Sequence, residues 1–251
     1  MGKIQNTISE VDVSGLDDGR LGRMAEAGER IVECYRVLHK SEANIVGEVL
    51  RGEGEFFEWD HYPKGDVYDF DTHSQYYYHA HPPEERANVW GAEHGHFHTF
   101  LRPKGMPKGV KPAPLPDYKP PRGDNDALTH FVAFSMDRAG FPIRIFTTNR
   151  WVTGEIWYDA ETVISMLDRF LMDLALPSWP ANIWMTEMLQ LFRPEIEALI
   201  RARDITVDDW TSRHPVENAY EDRKLEITSI RDISVEGQVK RVNAEVKRRE
   251  L

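Results

Sequence analysis

The first clear periodicity begins at Leu21. Leu21, Met24, Ile31, Tyr35 and Leu38 recur three, four or seven residues apart, which predicts an amphipathic helix. Cys34 falls inside it and reads as a small buried thiol. Ahead of this helix, residues 1–18 are polar and small and predict an irregular arm. A shorter helix is expected from about Glu42 to Leu50, ending at Gly52.

At Glu55 the pattern changes. An aromatic, acidic, turn-rich stretch predicts a structured loop leading into a strand, and Tyr76–His81 and His94–Leu101 then read as two strands. Residues 102–126 hold too much proline and glycine for a helix or a central strand, so a long loop follows. Residues 128–137 and 141–157 are rich in β-branched and aromatic side chains, with Arg138-Ala139-Gly140 between them as the turn of a hairpin.

Asp159 has the position of a helix N-cap, followed by an apolar face of Val163, Met166, Leu167, Phe170, Leu171 and Leu174. Pro177 and Pro180 break that face. A further helix is predicted from about Asn182, with Pro194 opening its continuation, and Thr206 and Asp209 are read as capping a short helix around Trp210. Residues 214–251 read as an extension ending in a helix with Val235, Val239, Val242 and Val246 along one edge. The order of elements predicts a single α+β domain over 1–251, with an antiparallel β-sheet core flanked by N-terminal and C-terminal helices.

Composition narrows the function. A formal charge of -11 argues against nucleic acid as a partner, and no apolar run reaches the roughly 18 to 20 residues of a membrane span. One cysteine and a polar N-terminal segment suit a reducing compartment, so a cytoplasmic protein is expected. Ten histidines change the picture more, because five of them lie between His79 and His98.

Side chains two apart on a strand share a face, about 6.6 Å apart along the chain. His94, His96, His98 and Phe100 are therefore expected on one face of their strand, and His79, His81 and Tyr77 on one face of theirs. Two imidazoles at such spacing can converge on one ion at about 2.0–2.1 Å. His94 and His98, about 13 Å apart in an extended strand, are not expected to share one. The candidate metal ligands are thus His79, His81, His96 and His98, on the condition that the two strands pair.

Glu93 and Glu155 are the candidate catalytic carboxylates, Glu155 on a strand face shared with Trp151, Thr153 and Trp157. Tyr77, Trp90, Trp151 and Arg102 are candidate substrate contacts. His130, alone among apolar neighbours, reads as a satisfied core residue. The loop 102–122 carries Arg102, Lys104, Lys108, Lys111, Lys119 and Arg122 against Asp117, which suits either a lid for an anionic substrate or a solvated connector.

The block His79-Ala-His81 with Glu85 resembles the H-x-H-x(3,4)-E part of the cupin metal motif, but two prolines follow His81 where a cupin strand would continue, and no cupin is assigned. The segments SQYYYHAH, EHGHFHTFLRP and TTNRWVTGE resemble those of an uncharacterised bacterial family known as a domain of unknown function, over most of the chain. That resemblance implies no activity.

The residues themselves favour a metalloenzyme holding iron, zinc or copper and acting on a small organic substrate, with redox chemistry ahead of hydrolysis. The competing reading is a non-catalytic protein that binds haem or another small ligand, or handles metal. The terminal helix offers a surface for docking on the body or for a homo-oligomer.

Overall fold

In the computed structural model, which describes residues 7–82, 93–115 and 118–251, six strands form one sheet in which each pairs antiparallel with the next in sequence. They are β1 (Tyr62–Tyr68), β2 (Ser74–His79), β3 (Glu93–Leu101), β4 (Thr129–Asp137), β5 (Pro142–Thr148) and β6 (Ile227–Asp232). Seven helices accompany it among the described residues: α1 (Asp18–His39), α2 (Ile45–Leu50), α3 (Arg150–Thr153), α4 (Ala160–Met166), α5 (Trp179–Leu191), α6 (Arg193–Arg213) and α7 (Val235–Arg249). The expected α+β class is what the chain adopts. None of these helices is long and apolar enough to cross a membrane.

The helix starts follow from their caps. Asp17 accepts the Arg20 N–H at 2.9 Å to open α1, and Asp159 accepts the Thr162 N–H at 2.9 Å to open α4. The apolar stripe of α1 packs on α5, with Leu21, Met24, Ile31 and Leu38 buried.

Five elements differ from the sequence pattern. The helix begun at Asp159 stops at Met166 rather than near Leu174. Beyond it, side chains take the backbone amides instead: Ser74 Oγ accepts from Leu171, Thr186 Oγ1 from Met172 and Asp69 Oδ2 from Asp173, each at 3.0 Å. No separate helix forms at Trp210, because α6 runs unbroken to Arg213 and Thr206 bonds back to Ala202 O at 2.8 Å rather than capping.

Part of the aromatic, acidic stretch read as a loop is strand β1, and part of the presumed C-terminal extension is strand β6, paired with β5. The strand expected to run to Trp157 ends at Thr148. There Asn149, fully buried, accepts the Arg150 N–H and donates to Ala219 O at 2.7 Å and Leu225 O at 3.1 Å, turning the chain into α3. Trp151, Thr153, Glu155 and Trp157 therefore share no strand face.

The apolar edge of α7 is turned inward onto α1: Val242 is fully buried, and Gly28 of α1 keeps space for Val239, whose Cγ2 would stand 3.0 Å from any added Cβ.

Alternation along β2 and β3 divides their residues between two faces. Tyr76, Tyr78 and Phe97 face the helices, where Tyr76 donates to Asn182 Oδ1 at 2.7 Å and Phe97 meets Trp184. The other face carries Tyr77, His79, His96 and His98, brought together because His79 pairs with His96 and Tyr77 with His98.

Candidate metal centre

The condition set by the sequence is met: β2 and β3 are neighbours and their histidine faces align. One ring nitrogen from each of His79, His81 and His96 lies within 4.8 Å of the other two. His79 Nε2 and His96 Nε2 are 2.7 Å apart, and the three rings surround one point with centroids 4.5 to 5.2 Å from each other. Such a triad has the donors and spacing to hold a metal ion, which would spread the His79 and His96 nitrogens to about 3 Å or slightly more at 2.0–2.1 Å per bond.

His96 is 2% exposed, and its Nδ1 lies 2.9 Å from Glu93 Oε1. The other Glu93 oxygen accepts a hydrogen bond from Ser135 of β4. A carboxylate on Nδ1 fixes the tautomer that leaves the Nε2 lone pair facing the triad, the usual outer-shell arrangement of a ligating histidine. Glu93 reaches this place through an irregularity. The pairing of β3 with β4 slips between Glu93 and Gly95, so that Glu93 rather than His94 falls on the side of His96.

The expectation that His94 shares a face with His96 and His98 is corrected accordingly. His94 instead hydrogen-bonds the Tyr78 hydroxyl through Nδ1 at 2.6 Å. Gly95 is required at the slip, because a Cβ there would stand 2.5 Å from both His79 O and the Tyr78 hydroxyl oxygen.

His98 lies outside the triad but beside it, its ring 4.9 Å from that of His96 and 5.3 Å from that of His79. It is fully buried, which holds its pKa well below the ordinary histidine value, with neighbouring histidines adding to the effect. Its Nδ1 shares a hydrogen bond with His130 Nε2 at 3.0 Å, and its buried Nε2 has no hydrogen-bond partner.

Other expected contacts divide. Tyr77 stands among the histidines, 5.2 Å from His98 and 5.6 Å from His79 between centroids. Arg102 does not: it donates to Gln75 Oε1 at 2.6 Å and to Asn125 O at 3.0 Å. Trp90 and Glu85 lie outside the described residues.

Glu155 and Trp151 line a separate cleft of about 480 Å³ with Leu115, Tyr118, Lys119 and Trp157. Ala113, Leu115, Tyr118 and Lys119 of the basic loop thus line the Glu155 cleft, and the Ala113 N–H donates to Trp157 O at 2.9 Å. Sequence reasoning missed His61, stacked on Tyr77 at 3.6 Å, and Trp59, edge-on to His81 at 4.2 Å. Both lie just ahead of β1, whose presence the acidic composition disguised.

Glu155 takes over where β5 peels away: its Oε2 accepts the His130 N–H at 2.8 Å, while Oε1 is buried without a partner. Burial raises its pKa to about 7, against the lowering pull of Arg203 and of that N–H. A carboxyl with a folded pKa above its unfolded value binds the proton more tightly when folded. Its contribution is therefore full below about pH 4.5 and declines as pH rises towards 7. Glu155→Gln, which keeps an acceptor for the His130 amide, is expected to abolish this decline, worth on the order of 3 kcal/mol. Urea titrations of both proteins at pH 5 and pH 8 measure it.

An antiparallel meander with helices on one face and a histidine-rich surface on the other defines a class of α+β protein with a candidate metal centre. Residues 25–233 match the family model described as Domain of unknown function (DUF6969), and the chain belongs to that family. Comparison with curated proteins and with solved structures found no match.

Proposed function

We propose that the protein is a histidine-ligated metalloenzyme acting on a small organic substrate, with His79, His81 and His96 as ligands. The convergence of three ring nitrogens within 4.8 Å carries this reading, supported by the Glu93 carboxylate behind His96. Three protein ligands leave a coordination position for substrate or water, as catalytic sites do. Neutral imidazoles suit iron, copper or zinc, which supply Lewis acidity and, for iron and copper, one-electron chemistry.

Redox chemistry is favoured over hydrolysis because both Glu93 oxygens are committed to His96 and Ser135, so the nearby carboxylate serves to position rather than to act as base. Trp59, exposed beside His81, and the stacked His61 and Tyr77 offer an aromatic border for an organic molecule. The close packing of His79 on His96 suits a small ion better than the plane of a haem.

The test is metal analysis of protein purified without a histidine tag. About one equivalent of iron, copper or zinc is expected, with a lower thermal midpoint after chelation. Less than about 0.2 equivalents, with no midpoint change on adding each metal, overturns the reading.

A further inference from the structure

We infer that the metal centre has a fourth, inward ligand, His98, and that His130 is the residue that positions it. The inference rests on the metal reading above and deepens it by fixing the coordination class. Its first support is an orphaned atom. His98 Nε2 is fully buried and unpartnered, although leaving a buried polar atom unpaired is costly.

The second support is the chain behind it. Thr148 Oγ1 lies 3.4 Å from His130 Nδ1, and His130 Nε2 lies 3.0 Å from His98 Nδ1. If the protons run from His98 Nδ1 to His130 and from His130 Nδ1 to Thr148, every ring nitrogen in the chain is used except His98 Nε2. That atom is left as a bare lone pair. A lone pair in such a place calls for a positive partner, and one histidine nitrogen tied by a hydrogen bond while the other is bare is the signature of a metal ligand.

The third support is spacing. The His98 ring stands 4.9 and 5.3 Å from those of His96 and His79, within the range needed for rings bound to one ion, about 4.5 to 5.3 Å at 2.0–2.1 Å per bond. His98 is outside the 4.8 Å set formed by the other three. Closing the shell therefore needs a shift of the rings, as does parting His79 from His96.

Four histidines would saturate a tetrahedral zinc ion. Copper(II) and iron, which take five or six ligands, keep positions for substrate, so a fourth histidine selects the redox metals.

The experiment uses copper(II) added to the metal-stripped full chain, with the number of bound imidazoles counted by pulsed electron paramagnetic resonance. Four are expected in the parent protein and three in both His98→Gln and His98→Phe, circular dichroism confirming that at least one of the two is folded. His130→Leu should weaken copper binding roughly tenfold to hundredfold, and His130→Gln, which can still accept from His98 Nδ1, should restore most of it.

An unchanged imidazole count on replacing His98, or equal affinity in the two His130 variants, overturns the inference. If His79→Ala and His96→Ala abolish copper binding while the His98 variants do not, the three-ligand centre stands and this inference alone falls. If none of the four replacements alters binding, the metal reading itself is lost.

Discussion

Replacing His96 with alanine is expected to remove metal binding more completely than any outer-shell change. His96 is the most buried of the triad, it faces His79 across the strand pair, and its ring is held by Glu93 at 2.9 Å. Its loss takes away a ligand and also leaves the Glu93 carboxylate, 1% exposed, without that partner. Glu93→Gln separates the two effects, since it keeps the ligand and weakens only its anchoring. An outer-shell substitution of that kind costs about tenfold to hundredfold in affinity, and His96→Ala should cost more than that. Competition titration against a chelator of known affinity ranks the two. Binding by His96→Ala within about threefold of the parent protein would remove His96 from the ligand set, whatever else binds the ion.

The second large effect is on stability. Trp184 of α5 is fully buried, with Phe97 and Phe134 of the sheet 5.7 and 5.9 Å from its ring. Its Nε1 donates to the Tyr35 hydroxyl at 2.9 Å, binding α5 to α1 behind the sheet. Trp184→Ala leaves a cavity and an unpartnered buried hydroxyl, for an expected loss of about 3–5 kcal/mol. Trp184→Phe keeps most of the volume and loses the hydrogen bond, and should cost about 1–3 kcal/mol. Denaturant titration measures both. Because Phe97 lies between His96 and His98 on β3, the alanine variant should also weaken metal binding, although Trp184 lies on the opposite side of the sheet.

The histidine pairs were legible because strand alternation is local: the sequence alone places His79 with His81 and His96 with His98 on common faces. That β2 and β3 would be neighbours was an assumption, and the meander satisfies it. Long helices with a clear stripe, such as α1, were equally legible. What failed was nonlocal. The amides of Leu171, Met172 and Asp173 leave the helix for side chains of distant segments, and Asn149 ends a strand through carbonyls of residues 219 and 225. β6 escaped notice because Thr228, Ser229 and Arg231 dilute its apolar pattern, while Thr147 matches it hydroxyl to hydroxyl from β5. His130 looked like an isolated core histidine because its partner, His98, lies 32 residues away.

The slip at Gly95 has a consequence for how such a centre is encoded. In a strand with a period of two, one inserted residue is a half-period change of phase, so the run His94-Gly95-His96-Phe97-His98 only imitates an unbroken alternation. The spelling of the candidate centre on β3 is Glu-x-x-His-x-His, counted from Glu93, with glycine ahead of the first histidine. Removing His94 would restore regular alternation and still leave Glu93 two residues from His96 and on its face, whereas straightening the slip with every residue kept would turn Glu93 away and put the His94 imidazole beside His96. In this chain the slip itself, rather than the spacing of residues alone, therefore decides which donor stands beside His96.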